Sequence, residues 1–195
     1  MGRSDYRIIG EIVEPNTKVL DLGCGDGELL AWLAANKRVD ARGVEISGVK
    51  VQRAIARGVS VYQGDIDEGL ADYPDRAFDY VILSQTLQET FHPRKVLREM
   101  LRVGQRVIVA FPNYGHWRMR LSMLLSGRAP RTKLFPYAWH ESPNIHFLTL
   151  HDFEDLAALE GLKVERRYFL SGAHKVTVLP NLLAEVAVYL VSASA

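Results

Sequence analysis

Apolar residues fall along this chain in two alternating patterns. Short runs over 19–22, 40–46, 59–62, 78–83 and 106–111 are too brief for helices and suit strands covered on both faces. Between them the spacing turns helical. Ile8, Ile9, Ile12 and Val13 share one face behind Ser4-Asp5, a capping pair, and Pro15-Asn16 ends that helix. A second helix runs from about Gly27 to Asn36. A third follows Ser47 through Val51, Ala54 and Ile55 to Gly58, a C′ glycine. A fourth starts at His92-Pro93, repeats Val96, Leu97, Met100 and Leu101, and stops at Gly104. Strand–helix alternation at these intervals predicts a doubly wound α/β fold: a mostly parallel sheet covered on both faces, with right-handed crossovers.

The text changes after Pro112. Residues 113–144 are long, aromatic and basic, with Trp117, Leu121, Leu124 and Leu125 at helical spacing and then a proline-rich stretch. Regular patterning resumes with a helix over 152–160, ended by Gly161, and two strands near 163–169 and 184–191. Only residues 171–183 separate those strands, with no long helix, so the pair is expected to be antiparallel. The chain reads as a single domain over 1–195 in which 113–144 is an insertion.

Bulk properties narrow the class. A length of 195 residues with 48% hydrophobic content fits a globular domain, and no apolar run approaches a membrane span. The opening residues carry no apolar signal region, and Tyr6 stands where a myristoylation signal needs Ser or Thr, so a cytoplasmic protein is expected. One cysteine, Cys24, excludes an internal disulfide or a multi-thiolate metal site. Net charge is +1, which provides no global field to draw nucleic acid or a membrane. Charge is nonetheless uneven. Residues 64–79 hold six acids against the single base Arg76, whereas 114–140 hold Arg118, Arg120, Arg128, Arg131 and Lys133 and no acid.

The candidate chemistry starts at Val19-Leu-Asp-Leu-Gly-Cys-Gly-Asp-Gly-Glu-Leu-Leu30, a strand, a glycine turn and a helix. Gly23, Gly25 and Gly27 permit positive φ and let the backbone approach a ligand, and the arrangement aims N–H groups and a helix N-terminus at it. The spacing Gly-x-Gly-x-Gly after Asp21 departs from the Gly-x-Gly-x-x-Gly of dinucleotide-binding oxidoreductases. Glu45, at the end of the second strand, is placed to accept hydrogen bonds from both hydroxyls of a ribose. Asp65, after Gly64, is placed to accept from an exocyclic adenine amine while Ile66 packs on the ring. Ser84 ends the fourth strand at the same crevice. Cys24 has no paired base and reads as a small residue that fits the turn.

Taken together, Asp21, the three glycines, Glu45, Gly64-Asp65 and Phe78-Asp-Tyr-Val81 resemble the class I S-adenosylmethionine-dependent methyltransferases. That resemblance implies a seven-stranded sheet with an antiparallel last strand. It also implies that S-adenosylmethionine or S-adenosylhomocysteine is held by Asp21, Gly23, Cys24, Gly25 and Gly27, by Glu45 and Ile46, by Gly64, Asp65 and Ile66, and by Ser84. Four longer stretches are more specific: the glycine turn, Leu83-Ser-Gln-Thr-Leu-Gln88, Phe111-Pro-Asn-Tyr-Gly-His-Trp117 and Ser142-Pro-Asn-Ile-His-Phe-Leu-Thr149. With them the chain is similar to the MetW family of bacterial methionine biosynthesis. This implies a protein that assists or regulates a homoserine O-acyltransferase (MetX).

The competing reading is methyl transfer to a small molecule, which needs an aligned acceptor and, for a protonated nucleophile, a base. Candidate bases are His92, His116, His140 and His146. The Asn/Asp-Pro-Pro-Tyr-type clamp of amino-methyltransferases is replaced by Ser84-Gln-Thr-Leu-Gln-Glu89. Trp117, Met119, Leu121 and Met123 to Leu125, followed by arginines, read as a lid over a small-molecule site or a surface for a partner protein. RNA binding is disfavoured by the near-zero net charge.

Overall fold

The computed structural model describes residues 3–132 and 135–193, so Lys133 of the basic segment lies outside the described residues. In chain order the elements are α1 (Ser4–Ile12), β1 (Lys18–Leu22), α2 (Glu28–Lys37), β2 (Asp40–Glu45), α3 (Gly48–Ala56), β3 (Ser60–Gln63), β4 (Phe78–Ser84), a 3-10 turn (Leu87–Glu89), α4 (Pro93–Val103), β5 (Gly104–Pro112), α5 (Trp117–Ser126), α6 (Leu150–Leu159), β6 (Leu162–Ser171), β7 (His174–Lys175), α7 (Pro180–Leu183) and β8 (Val186–Ala193).

They build one sheet ordered β3-β2-β1-β4-β5-β8-β6-β7. The first five strands are parallel, and β8 pairs antiparallel with both β5 and β6. The expected antiparallel pairing of the last long strands therefore holds. The sheet has eight strands rather than seven, because the two-residue β7 folds back on the end of β6. The chain leaves β1 toward β2 and β3 on one side and resumes at β4 on the other. This makes the β1/β4 boundary a switch point where carboxyl ends of adjacent strands open a crevice.

Side-chain alternation explains the two-faced core. Tyr80 and Ile82 of β4, with Ile108 and Ala110 of β5, pack with Ile8 and Ile9 of α1 and Leu30 and Leu33 of α2. Val81 and Leu83, with Val107, Val109 and Phe111, pack with Val96, Leu97 and Met100 of α4 and Phe153 of α6. Odd and even positions of one strand thus face opposite helix layers, as a period of two requires.

One local expectation fails. Ser4 and Asp5 lie inside the first turn of α1, and the N-cap is Arg3 with no capping side chain. The Asp5 carboxylate is buried and accepts instead from Arg3 and from the Ser84 hydroxyl, so tertiary partners displace the local cap.

Candidate functional site

A cavity of about 610 Å³ opens at the switch point, walled by the β1–α2 turn, the ends of β2 and β4, and residues 64–67. Gly23, Cys24, Gly25, Glu45, Ile46, Gly64, Asp65, Ile66 and Ser84 line it together. Asp21 and Gly27 do not; both lie behind the wall. Gly27 has φ +73°, and a Cβ there would stand 2.8 Å from the Ala54 Cβ, so this glycine serves helix packing. Gly23, at φ +71°, is pressed against Thr86, whose Oγ1 lies 2.7 Å from the position of a Cβ. Gly25, at φ +58°, meets nothing within 4 Å; only here does the turn leave open room beside the cavity.

The turn's amides are engaged from within. Gly23 and Cys24 donate to the Val44 carbonyl, Gly27 donates to the Cys24 carbonyl, and Gly25 donates to Glu45 Oε2 at 2.9 Å. The expectation that the glycine N–H groups aim at a ligand is therefore corrected for Gly23, Gly25 and Gly27: β2 takes the first two and the Cys24 carbonyl the third. With Asp26 in the turn and Glu28 in the first turn of α2, this end of the helix also carries acid where a phosphate would need the opposite.

Glu45 is 4% exposed, and its Oε1 accepts from the Ser47 amide at 3.0 Å. A carboxylate has about four lone-pair positions. The two backbone bonds fix its orientation and leave capacity for hydroxyl donors. Asp65 Oδ1 accepts from the Asp67 amide at 2.8 Å, which holds the loop after β3 in an Asx turn beside Ile66.

Beneath the turn lies a charged cluster that the sequence did not disclose. Asp5 Oδ2 accepts from Arg3 at 2.6 Å and from Ser84 Oγ at 2.6 Å, and Arg3 donates to Ser84 Oγ at 3.0 Å. Ser84 is thus held by α1. Asp21 is buried, and its Oδ1 has no hydrogen-bond partner among the described residues. Burial pushes the Asp21 carboxyl up to about 8; Arg3 opposes this, and Asp5 and Glu45 add to it. Burial, with Asp21 and Glu45 behind it, raises the Cys24 thiol to about 12, which disfavours the thiolate.

The family described as methionine biosynthesis protein MetW matches residues 3–191. The chain belongs to the MetW family. It is 35% identical over 174 residues to the bifunctional methionine biosynthesis protein MetXA/MetW of Rhodopirellula baltica, a match covering 85% of this chain and 28% of that protein. It is 33% identical over 94 residues to ajmaline N-methyltransferase of Rauvolfia serpentina, covering 44% of this chain and 32% of that enzyme. The chain thus spans about a third or less of these curated relatives. Among solved structures, a SAM-dependent methyltransferase from Thermotoga maritima, a possible histamine N-methyltransferase, superposes with a TM-score of 0.69 at 20% identity, covering 98% of this chain and 88% of that one. That likeness establishes the Rossmann-like methyltransferase fold.

In this MetW-family chain the cavity also gathers residues that motif reading missed. Arg3 and Tyr6 reach it from α1, Lys50 and Arg53 from α3, and Gln85, Thr86, Glu89, Thr90 and Phe91 from the segment after β4. The last group follows a strand's carboxyl end, where chain order alone could have flagged it. Arg3 and Tyr6 arrive by tertiary packing and leave no local signal. None of the four candidate histidines lines this cavity. His116 caps α5, where its Nδ1 accepts from the Arg118 amide, and burial lowers its basicity. His92 precedes α4 and lies 3.6 Å from Asp67, while His140 packs edge-on to Trp139. His146 lies in the segment before α6, with its amide bonded to the Gln88 carbonyl. Among the described residues no helix is long and apolar enough to cross a membrane, and no group of three His, Cys, Asp or Glu side chains could hold a metal.

Proposed function

We propose that the crevice binds S-adenosylmethionine or S-adenosylhomocysteine and that the protein assists or regulates a homoserine O-acyltransferase. The observation that carries the ligand half is the glycine turn with its glycine amides taken, Gly25 open and Glu45 beside it. A dinucleotide needs unengaged amides and a helix end free of acid for its pyrophosphate. A sulfonium nucleoside has no phosphate and needs a close, neutral approach to the backbone. In this reading Glu45 holds the ribose hydroxyls, Asp65 and Ile66 receive the adenine, and Gly23, Cys24, Gly25 and Ser84 border the amino-acid end, with Asp21 behind them. Arg3, half-exposed beside Ser84, supplies a cation for a carboxylate. When bound, S-adenosylmethionine supplies an electrophilic methyl group; the residues named here orient it and exclude water.

The partner half rests on family membership and on the Rhodopirellula protein, whose name joins MetXA and MetW in one chain. The ligand is a downstream product of methionine synthesis, so its occupancy would report end-product level to an early enzyme. Methyl transfer is the second reading, favoured by the match to ajmaline N-methyltransferase. In that reading one of the cavity carboxylates, Glu89 among them, rather than a histidine would serve as the base for a protonated acceptor.

The experiment is calorimetric titration of S-adenosylmethionine into the protein, alone and with the acyltransferase. Binding that shifts with the partner is the expected result. Binding indifferent to the partner turns the reading to methyl transfer, to be sought as acceptor-dependent demethylated product lost in Glu45→Ala. No binding refutes the ligand half.

A further inference from the structure

Helix α5 is inside out. At 100° per residue, Trp117, Leu121, Leu124 and Leu125 form one stripe, the kind that in a globular protein faces the core. Here they are 40%, 42%, 81% and 76% exposed. The side turned inward carries Met119, buried, and Ser122, half-buried. Helices α1, α2 and α4 instead bury their apolar positions: Ile8, Ile9 and Ile12 in α1, Leu29, Leu30 and Leu33 in α2, Val96, Leu97 and Met100 in α4. The fold therefore does not account for the α5 stripe, and exposed clusters of this composition mark interaction sites.

Its charge setting narrows the occupant. Arg118 and Arg120 flank the stripe, Arg128 follows it, and no acid occurs between Tyr114 and His140. The Rhodopirellula protein whose name joins MetXA to MetW favours the acyltransferase as occupant over a second copy of this chain, in which Asp67, Asp75 and Asp79 of the acids over 64–79 are engaged internally. Asp67 accepts from the Phe91 and His92 amides, Asp75 pairs with Arg102, and Asp79 holds the Lys18 amide and Gln105. We propose that the outward face of α5 docks in an apolar groove with a carboxylate rim on the acyltransferase partner. This rests on the partner half of the reading above and assigns it a surface: Trp117, Leu121, Leu124 and Leu125 enter the groove, and Arg118 and Arg128 meet the rim.

The test measures the affinity of the purified acyltransferase for the wild-type chain, for Leu124→Glu/Leu125→Glu, for Arg128→Glu, and for Ile55→Glu, a control on exposed α3. The expected result is a loss of about 30-fold or more for the double variant, the size of a hot-spot truncation. Arg128→Glu loses less and flattens the salt dependence, Ile55→Glu binds as wild type, and all four melt alike. Wild-type affinity in the double variant overturns the surface while leaving the partnership intact. Failure of the wild type to bind overturns both. Capture of the wild type by anionic phospholipid vesicles, or dimerisation that the double variant abolishes, overturns the proposal in favour of a membrane surface or a self-interface.

Discussion

Two glycines two residues apart separate the ligand-binding role of the turn from its structural role. Gly25 and Gly27 both adopt left-handed φ, +58° and +73°, so alanine at either costs about 1–2 kcal/mol of backbone strain. At Gly27 the new methyl also meets the Ala54 Cβ at 2.8 Å and its Cα at 3.2 Å, and this overpacking of α2 on α3 adds about 1–3 kcal/mol. Gly27→Ala is then destabilised by about 3 kcal/mol, which in a chain of this size lowers Tm by roughly 9 °C. Gly25→Ala meets no neighbour and loses about 1.5 kcal/mol, roughly 4 °C. The order reverses for ligand. A methyl on Gly25 occupies the one open position in the turn, so S-adenosylmethionine affinity falls at least tenfold; Gly27→Ala, measured well below its Tm, keeps most of its affinity. Thermal unfolding and calorimetric titration on the two variants supply all four numbers. Undiminished affinity in Gly25→Ala would refute the reasoning, because open space beside that Cα would then not be ligand space.

Three further outcomes are expected. Glu45→Gln keeps the shape but sets an amide NH2 against either the Gly25 or the Ser47 N–H, so S-adenosylmethionine binding weakens by tenfold or more in calorimetry; unchanged affinity would remove Glu45 from the site. Asp5→Ala leaves Arg3 and the Ser84 hydroxyl without their shared acceptor and costs about 1–3 kcal/mol, read as a lower denaturant midpoint and faster amide exchange in α1. Asp21 titrates at about 8 when folded against 3.8 unfolded, so between those values the unfolded chain releases a proton that the fold retains, and stability declines as pH rises through the window. Asp21→Asn lacks this titration, so its stability relative to wild type should climb from about pH 4 to pH 8 and then level; a pH-independent difference would mean that the carboxyl is not perturbed.

What the sequence disclosed depended on how local the cause was. Strands β1, β4 and β5 were legible because burial on both faces demands largely apolar runs, and Glu45 and Asp65 because each ends or follows a short strand of the parallel series. The glycines announced a turn but not its division of labour: that Gly27 abuts Ala54 and Gly23 abuts Thr86 follows from contacts 27 and 63 positions away. The Asp5 error has the same origin. Ser4-Asp5 before an apolar face is a sound capping signal, overridden when Ser84, 79 positions on, offered the carboxylate a buried partner. The α5 stripe was legible as a stripe, and only its outward direction required the structure.

The crevice and the segment before α6 are also joined by one residue. Gln88 donates from Nε2 to the carbonyl of Gln85, on the crevice wall, at 2.7 Å, and its own carbonyl accepts from the amides of Ile145 and His146 at 2.8 and 3.0 Å. Gln85 sits at φ +58°, costly for a residue with a side chain. Among the described residues Gln85 Nε2, Gln88 Oε1 and His146 Nε2 are buried without partners. Polar groups left open in this way lower the cost of an alternative arrangement, so a ligand that engages Gln85 has a route of three hydrogen bonds to residues 145 and 146. Linkage makes any such route mutual: a partner that engages those residues must change ligand affinity by the factor by which the ligand changes the partner's. Gln88→Ala, which deletes the side-chain bond and spares the backbone ones, should shrink that factor toward one without abolishing either binding event. If the factor is unchanged in Gln88→Ala, the side-chain link is only a staple between the crevice wall and residues 145 and 146.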